Sequence, residues 1–157
     1  MMNRRDFMRM SLGAGAVAAA VPAIARAMAA GGAAAPVRVT VYKSSSCGCC
    51  GEWVTYMKKH GFDVKVIPMD DPSPMRREAG VPDKLASCHT ALVGGYVVEG
   101  HVPADLIRKM LAEKPKIVGL SVPGMVEGPP GMNENTKKPY DVIAFDRAGR
   151  TSVYAHR

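Results

Sequence analysis

Three of the four cysteines of this chain lie within the four-residue run Cys47-Gly48-Cys49-Cys50. The apolar alternation of residues 37–42 before this run predicts a β-strand. Residues 52–60 after it have the pattern of a helix that ends at Gly61. The thiols therefore lie where a strand passes into the first turn of a helix, and there the helix dipole and unpaired backbone N–H groups favour thiolate. Because thiolates attack disulfides and bind soft metal ions, the run predicts one of these two chemistries.

Composition narrows the class of protein. The chain has 157 residues, of which 47% are apolar, and this is enough for one domain with a hydrophobic core. Residues 1–27 hold four arginines and one aspartate, so the net charge of +7 falls to +4 for the remainder. The basic residues of that remainder are scattered, which argues against nucleic-acid binding. Four cysteines are too few for a disulfide scaffold of this size, so they indicate a site.

The N-terminal residues 1–29 have the pattern of an export signal. The paired Arg4 and Arg5 precede Phe7 and a weakly apolar run rich in alanine and glycine, and small residues suited to cleavage follow. This pattern resembles a twin-arginine signal, which predicts export to the periplasm. The apolar run is short and ends at Pro22, so we expect cleavage and no membrane anchor.

Beyond the signal, we predict a linker over residues 30–36 and a single α/β domain over residues 37–157. Its mixed sheet is expected to be flanked by helices, because the first strand and helix lead into a second strand at 63–69 through a parallel crossover. The Gly94-Gly95 pair between two short apolar runs predicts a hairpin. The elements expected after it are an amphipathic helix over 103–112, an irregular loop over 119–139 and a closing hairpin over 140–155.

The order of these elements resembles the thioredoxin and glutaredoxin fold. The strand that leads into Cys47-x-x-Cys50 is similar to the corresponding junction in glutaredoxins, and residues 90–95 resemble the strand and turn that follow the cis-proline of that fold. His89 then occupies the position of that proline, a residue that packs against the CxxC loop. The resemblance therefore implies that Cys88 and His89 lie against the first three cysteines, where they would add soft ligands.

The domain also resembles the CopG-like family of small periplasmic metal-binding proteins linked to copper resistance. The motifs that carry this resemblance span residues 37–157 and are Cys-Gly-Cys-Cys-Gly at 47–51, Cys-His-Thr at 88–90, the stretch 94–103, and Gly-Met at 124–125 and 131–132. The resemblance implies a copper site. Its expected ligands are the thiolates of Cys47, Cys49, Cys50 and Cys88, with His89 as a direct or supporting ligand and Met125 and Met132 as candidate thioethers.

We therefore predict a periplasmic Cu(I)-binding protein for copper handling or resistance, with other periplasmic copper-handling proteins as partners. Packed thiolates repel one another unless they share cations, so the cluster could hold more than one copper ion. Zinc would also suit a Cys/His site, but the methionines and the periplasmic location favour copper.

A second hypothesis, from a different class, is a thiol–disulfide oxidoreductase in which Cys47 is the nucleophile and Cys50 the resolving thiol. A hybrid that uses this dithiol to reduce or oxidise copper also stays open. The missing cis-proline counts against general disulfide exchange. A purely structural Cys47–Cys50 disulfide explains the spacing poorly, because closing so short a loop removes little entropy from the unfolded chain.

Two histidines and the two methionines have simpler interpretations. His60 ends the first helix, where a cation suits the dipole. His101 follows the hairpin and is expected at the surface. Met125 and Met132 could be apolar anchors of a long loop instead of ligands.

Overall fold

The computed structural model describes residues 35–133, 136 and 138–157. The predicted export signal over residues 1–29 and the predicted linker up to residue 34 lie outside this range. Residues 35–157 form one compact unit. Its elements in chain order are β1 (Val37–Ser44), α1 (Gly48–Lys59), β2 (Phe62–Met69), α2 (Ser73–Glu78), a 3₁₀ turn (Asp83–Leu85), β3 (His89–Val93), β4 (Tyr96–Glu99), α3 (Ala104–Glu113), β5 (Gly119–Ser121), β6 (Asp141–Phe145) and β7 (Thr151–His156).

All seven described strands join one mixed sheet in the order β2-β1-β3-β4-β5-β6-β7. β1 runs parallel to β2, and β4 runs parallel to β5, whereas the other neighbours are antiparallel. The predicted α/β class, the mixed sheet flanked by helices and the C-terminal hairpin are confirmed. The Gly94-Gly95 hairpin is also confirmed, and both glycines have positive φ, as the tight turn requires.

The main core lies between the sheet and the helices α1 and α3. Val39 and Val41 project from one face of β1, since alternate residues of a strand share a face. From α1, Trp53 and Met57 meet this face one helical turn apart, and both are fully buried. The indole N–H of Trp53 donates to the carbonyl oxygen of Val102 at 3.0 Å, so its burial leaves no polar atom unpaired.

A smaller apolar cluster covers part of the other face of the sheet. It joins Val81, which precedes the 3₁₀ turn, and Leu85, the last residue of that turn, to Val97 of β4 and Phe145 of β6. Within the described ranges, no helix combines the length and the apolar character needed to cross a bilayer.

Helix α1 begins earlier than the sequence pattern indicates. The predicted start was residue 52, but the helix starts at Gly48, and Cys47 occupies the N-cap position. The first turn closes when the N–H of Gly51 donates to the carbonyl oxygen of Cys47 at 3.3 Å. Glycine and cysteine carry little helical preference, so this turn has no signal in the sequence. The consequence is that Cys49 and Cys50 belong to the helix itself.

The prediction that residues 119–139 form only an irregular loop is wrong at its beginning. Gly119–Ser121 forms β5, which pairs with β4 and carries the sheet on to the closing hairpin. This pairing depends on glycine, since a Cβ atom at Gly119 would lie 1.9 Å from the carbonyl oxygen of Val97. β-propensity is low for glycine, which hides this strand in the sequence.

The close approach of β5 to β4 predicts a large effect for Gly119→Ala. The added Cβ atom would clash with backbone atoms of Val97, which cannot rotate away as a side chain can, so the two strands would have to separate. We expect a loss of about 1–3 kcal/mol in the free energy of unfolding. The measurement is urea unfolding followed by the fluorescence of Trp53, the single tryptophan.

The matched control is Gly51→Ala in α1. A Cβ atom there would meet no atom within 4 Å, and alanine is the better helix former, so this change should stabilise by about 0.5–1 kcal/mol. Equal unfolding midpoints for Gly119→Ala and the parent would show that β5 does not approach β4 this closely.

Candidate metal centre

Four cysteine sulfurs meet beside the N-terminus of α1. The Sγ atoms of Cys47, Cys49, Cys50 and Cys88 all lie within 4.8 Å of one another. Cys47 and Cys50 form a disulfide, whereas Cys49 and Cys88 are free thiols. The Sγ atoms of Cys47 and Cys49 are 3.5 Å apart. The juxtaposition of Cys88 with the first three cysteines, expected from the sequence, is therefore present.

The pairing of β3 with β1 produces this juxtaposition. His89, the first residue of β3, lies opposite Lys43 near the end of β1. Cys88 therefore lies next to the turn that leads from β1 into α1. Cys50, fully buried in the first turn of α1, closes the gap with its Sγ atom 3.6 Å from the backbone oxygen of Cys88.

A set of polar contacts fixes the backbone just before Cys88. The N–H of Ser87 donates to the Glu99 carboxylate at 2.7 Å, and Arg76 donates to the Ser87 carbonyl oxygen at 3.1 Å. Glu99 also accepts a 2.6 Å bond from the Thr90 hydroxyl and lies 3.7 Å from the Arg76 guanidinium. Burial raises the pKa of the Glu99 carboxyl, while these hydrogen bonds and Arg76 oppose the rise. Glu99 and Arg76 therefore fix the backbone on both sides of Ser87, and this fixes the position of Cys88.

His89 is fully buried next to Cys88. Its Nδ1 atom lies 3.3 Å from the Cys88 Sγ atom, and its ring stands 4.5 Å from the ring of Trp53. Burial, reinforced by His101 and Lys43, lowers the pKa of His89 to about 3. The imidazole is therefore neutral at physiological pH, the form that can bind a metal ion.

The prediction of a surface position for His101 is wrong. Its side chain is buried, with its Nε2 atom 3.1 Å from the Cys88 Sγ atom. Its Nδ1–H donates to the carbonyl oxygen of Pro130 at 2.7 Å, which leaves the lone pair of Nε2 facing the sulfur. Burial lowers the pKa of His101, and the bond to Pro130 partly opposes the shift.

The position of His101 beside Cys88 follows from the predicted hairpin, although the residues next to His101 give no sign of it. β3 and β4 form a hairpin, so the residues just before β3 and just after β4 lie at the same end of the sheet. His101 comes two residues after β4, and Cys88 comes one residue before β3. Hairpin pairing alone would have placed them together. Glu99 was also missed, although a carboxylate that ends an apolar strand is unusual.

The Cys88 thiol is strongly biased toward its protonated form. Burial, followed by the neighbouring Cys49, raises the pKa of Cys88 to about 12. A cation at the cluster acts in the opposite direction, since metal ions stabilise thiolate and displace the proton. Binding of a metal ion at Cys88 would therefore have to release this proton.

The two candidate methionines lie on the loop that borders the cluster. Met125 is 59% exposed and follows Gly124, whose backbone bonds to Ala86 and to the Ser87 hydroxyl. Met132 lines a groove along α1 with Glu52 and Thr55.

Gly131, the residue before Met132, comes close to the backbone of α1. A Cβ atom at Gly131 would lie 2.6 Å from the backbone nitrogen of Trp53 and 3.1 Å from the carbonyl oxygen of Cys49. Glycine therefore allows the loop to rest on the first turns of α1.

His60 ends α1 at the opposite end, as predicted.

Comparison with known proteins assigns the chain to a family. Residues 85–132 match a family described as "Protein of unknown function, DUF411", a range that includes Cys88, His89 and His101. No curated protein gave a significant match. Two solved structures, titled copper resistance protein CopG form 1 and form 2, are each 38% identical to the chain, with a TM-score of 0.73. Each match covers 78% of this chain and 98% of the solved one, so the chain belongs to the CopG family.

Proposed function

We propose that this protein binds Cu(I) in the periplasm and takes part in copper handling or resistance. The observation that carries the proposal is the approach of four cysteine sulfurs to within 4.8 Å of one another. Thiolates are soft ligands that select Cu(I). The relatives of known structure are titled copper resistance proteins, which supports copper as the metal.

The proposed ligands are Cys47, Cys49, Cys50 and Cys88, with His89 beside Cys88 as a direct or supporting ligand. Reduction of the Cys47–Cys50 disulfide would add two thiols to those of Cys49 and Cys88, and metal binding would deprotonate the thiols that become ligands. Four thiolates this close repel one another, so sharing more than one Cu(I) ion would stabilise them. Zinc is the weaker alternative.

Met125 and Met132 are proposed as additional thioether ligands. The backbone bonds of Gly124 bring the loop before Met125 against the segment that carries Cys88. The close approach of Gly131 to the backbone of Cys49 brings the loop before Met132 against the first turn of α1. Thioethers bind Cu(I) well and Zn(II) poorly, so these residues would add selectivity for copper.

Redox activity is the second candidate, and the disulfide favours it. Cys47 is partly exposed and Cys50 is fully buried, which suits a nucleophilic and a resolving thiol respectively. The dithiolate of this pair could reduce copper. Two Cu(II) ions would each gain one electron, and the two thiolates would lose these electrons as they form the disulfide. General thiol–disulfide exchange would use the same pair without copper.

Cys49 and Cys88 distinguish a copper site from a dithiol exchanger. If all four thiolates bind copper, Cys49→Ser or Cys88→Ser should lower Cu(I) affinity by at least about 10–100-fold, the loss typical of outer-shell changes at metal sites. An exchanger needs only Cys47 and Cys50, so its reductase activity should survive both changes. The measurement is anaerobic Cu(I) titration of the reduced protein, followed by mass spectrometry under non-denaturing conditions.

The control is His60→Ala, which removes an exposed imidazole at the far end of α1 and should leave Cu(I) binding unchanged. In cells, the two serine variants should lose copper tolerance while bulk periplasmic disulfide formation stays normal. Parental Cu(I) binding by both serine variants would exclude the four-thiolate site and favour the oxidoreductase.

The periplasmic location is proposed from Arg4 and Arg5. Changing both to lysine should leave the precursor in the cytoplasm, because the twin-arginine route requires the paired guanidinium groups. Cell fractionation and immunoblotting measure the distribution, and Arg9→Lys serves as a charge-matched control that should be exported. Normal export of the double variant would exclude this route.

A further inference from the structure

We propose that a groove at the far end of the sheet from the cysteine cluster docks an acidic segment of a partner protein that carries an apolar side chain. Residues 116–118 before β5 and the turn between β6 and β7 form this sheet-end groove. β3 leads from Cys88 to the Gly94-Gly95 turn, and Gly95 lines the groove. A partner docked there would leave the thiols uncovered, so the proposal goes beyond copper binding and does not depend on it.

Two adjoining cavities make up the sheet-end groove. The first has a volume of about 460 Å³ and is lined mainly by charged residues of the β6–β7 turn. The second has a volume of about 410 Å³ and is lined mainly by small and apolar residues, which include Ala79, Gly80, Gly95 and Val97. Ile117, Val118 and Arg147 line both cavities, so one ligand can reach from the first into the second.

The first cavity carries positive charge that is not neutralised. Lys116, Arg147 and Arg150 line it together with one carboxylate, that of Asp146. Asp146 is already paired, because it accepts a 2.6 Å bond from Nε of Arg150 and a 2.9 Å bond from the N–H of Ala148. Lys116 and Arg147 are exposed, and neither side chain forms an ion pair within the part of the chain that the structure describes. These two cations are therefore available to the carboxylates of a ligand.

The floor of the groove is apolar and fixed in position. Ile117 and Val118 are half-buried, and Val118 packs against the smaller apolar cluster. The N–H of Val118 donates to the carbonyl oxygen of Phe145 at 2.8 Å, and the N–H of Val97 donates to that of Val118 at 3.0 Å. A Cβ atom at Gly80 or Gly95 would meet no atom within 4 Å, so the second cavity has room for a side chain. Because the floor is already ordered, binding does not have to order it.

Charge and apolar surface together favour a protein segment over other anions. A small inorganic anion would use the cations and leave the apolar floor in water. Single-stranded nucleic acid is held by aromatic side chains on which its bases stack, and the described residues that line the two cavities include none. Residues 1–27 of the chain itself hold four arginines and one aspartate, so the groove would repel them. An acidic segment with one apolar side chain complements both cavities.

The test measures binding of a short fluorescein-labelled peptide, in which glutamates flank a single leucine, to the purified full chain by fluorescence anisotropy. The parent should bind this peptide. Lys116→Glu combined with Arg147→Glu should weaken binding by at least about fivefold, because two attractive charge pairs become repulsive. Glu78→Gln removes a carboxylate that lines the second cavity, so its binding should equal or exceed that of the parent.

The matched control is Lys58→Glu combined with Lys65→Glu. It makes the same change in net charge at two exposed lysines that line neither cavity, and it should bind the peptide as the parent does. Equal weakening in the control and the groove variant would overturn the proposal, because it would show attraction to net charge alone.

Changes in the peptide test the proposal even if a protein variant fails to fold. Serine in place of the leucine should weaken binding by at least about threefold, the loss that follows when an apolar side chain is no longer partly buried. Lysines in place of the glutamates should abolish binding. With the parent protein, the peptide should shift the amide NMR signals of Ile117, Val118 and Arg147.

Several results would overturn the proposal. The parent could fail to bind the peptide, or the NMR shifts could fall outside the groove. Tighter binding of an oligonucleotide or of phosphatidylglycerol vesicles, lost in the groove variant, would assign the groove to another class of macromolecule. Self-association in sedimentation, lost in the same variant, would assign it to a second copy of the chain. Cu(I) binding by the groove variant should match that of the parent, and its loss would show that the groove is not separate from the thiol site.

Discussion

The antiparallel pairing of β3 with β1 places Cys88 and His89 beside the cysteines at the start of α1. It sets His89 opposite Lys43 and brings Cys88 to the end of β1, where the chain turns into α1. Residues nearly forty positions apart thereby meet at one end of the sheet. The pairing of β4 with β3 then returns the chain to the same end and delivers His101. Without this register, the cysteines of α1 would face no partner from the second half of the chain.

Buried polar groups hold that register at the site. Glu99 and Arg76 together satisfy both peptide groups of Ser87, and the Thr90 hydroxyl bonds the same carboxylate. Burying a charged pair is expensive, so such pairs are weak evidence for stability. Their value here is positional, because the contacts fix the backbone on either side of Cys88 and His89. The apolar packing of Trp53 then fixes the imidazole ring itself.

The sequence predicts most of the fold because its signals are local. Alternation in β1 and β2, the Gly94-Gly95 turn and the amphipathic α3 each follow from neighbouring residues, and all are present. β5 has no such signal, since a glycine that permits close strand contact looks like loop sequence. The early start of α1 is missed for a similar reason. The burial of His101 beside Cys88 has no signal in the neighbouring residues, and only the pairing of β3 with β4 brings the two residues to the same end of the sheet.

Cys88 lies between two kinds of neighbouring side chain. Its sulfur faces Cys49 and the disulfide on one side and two neutral imidazoles on the other. When the disulfide is closed, the side facing α1 offers only the thiol of Cys49. When the disulfide is open, four sulfurs compete for the metal, and their softness favours Cu(I). The redox state of Cys47 and Cys50 would therefore set how many thiolates the proposed copper site can offer.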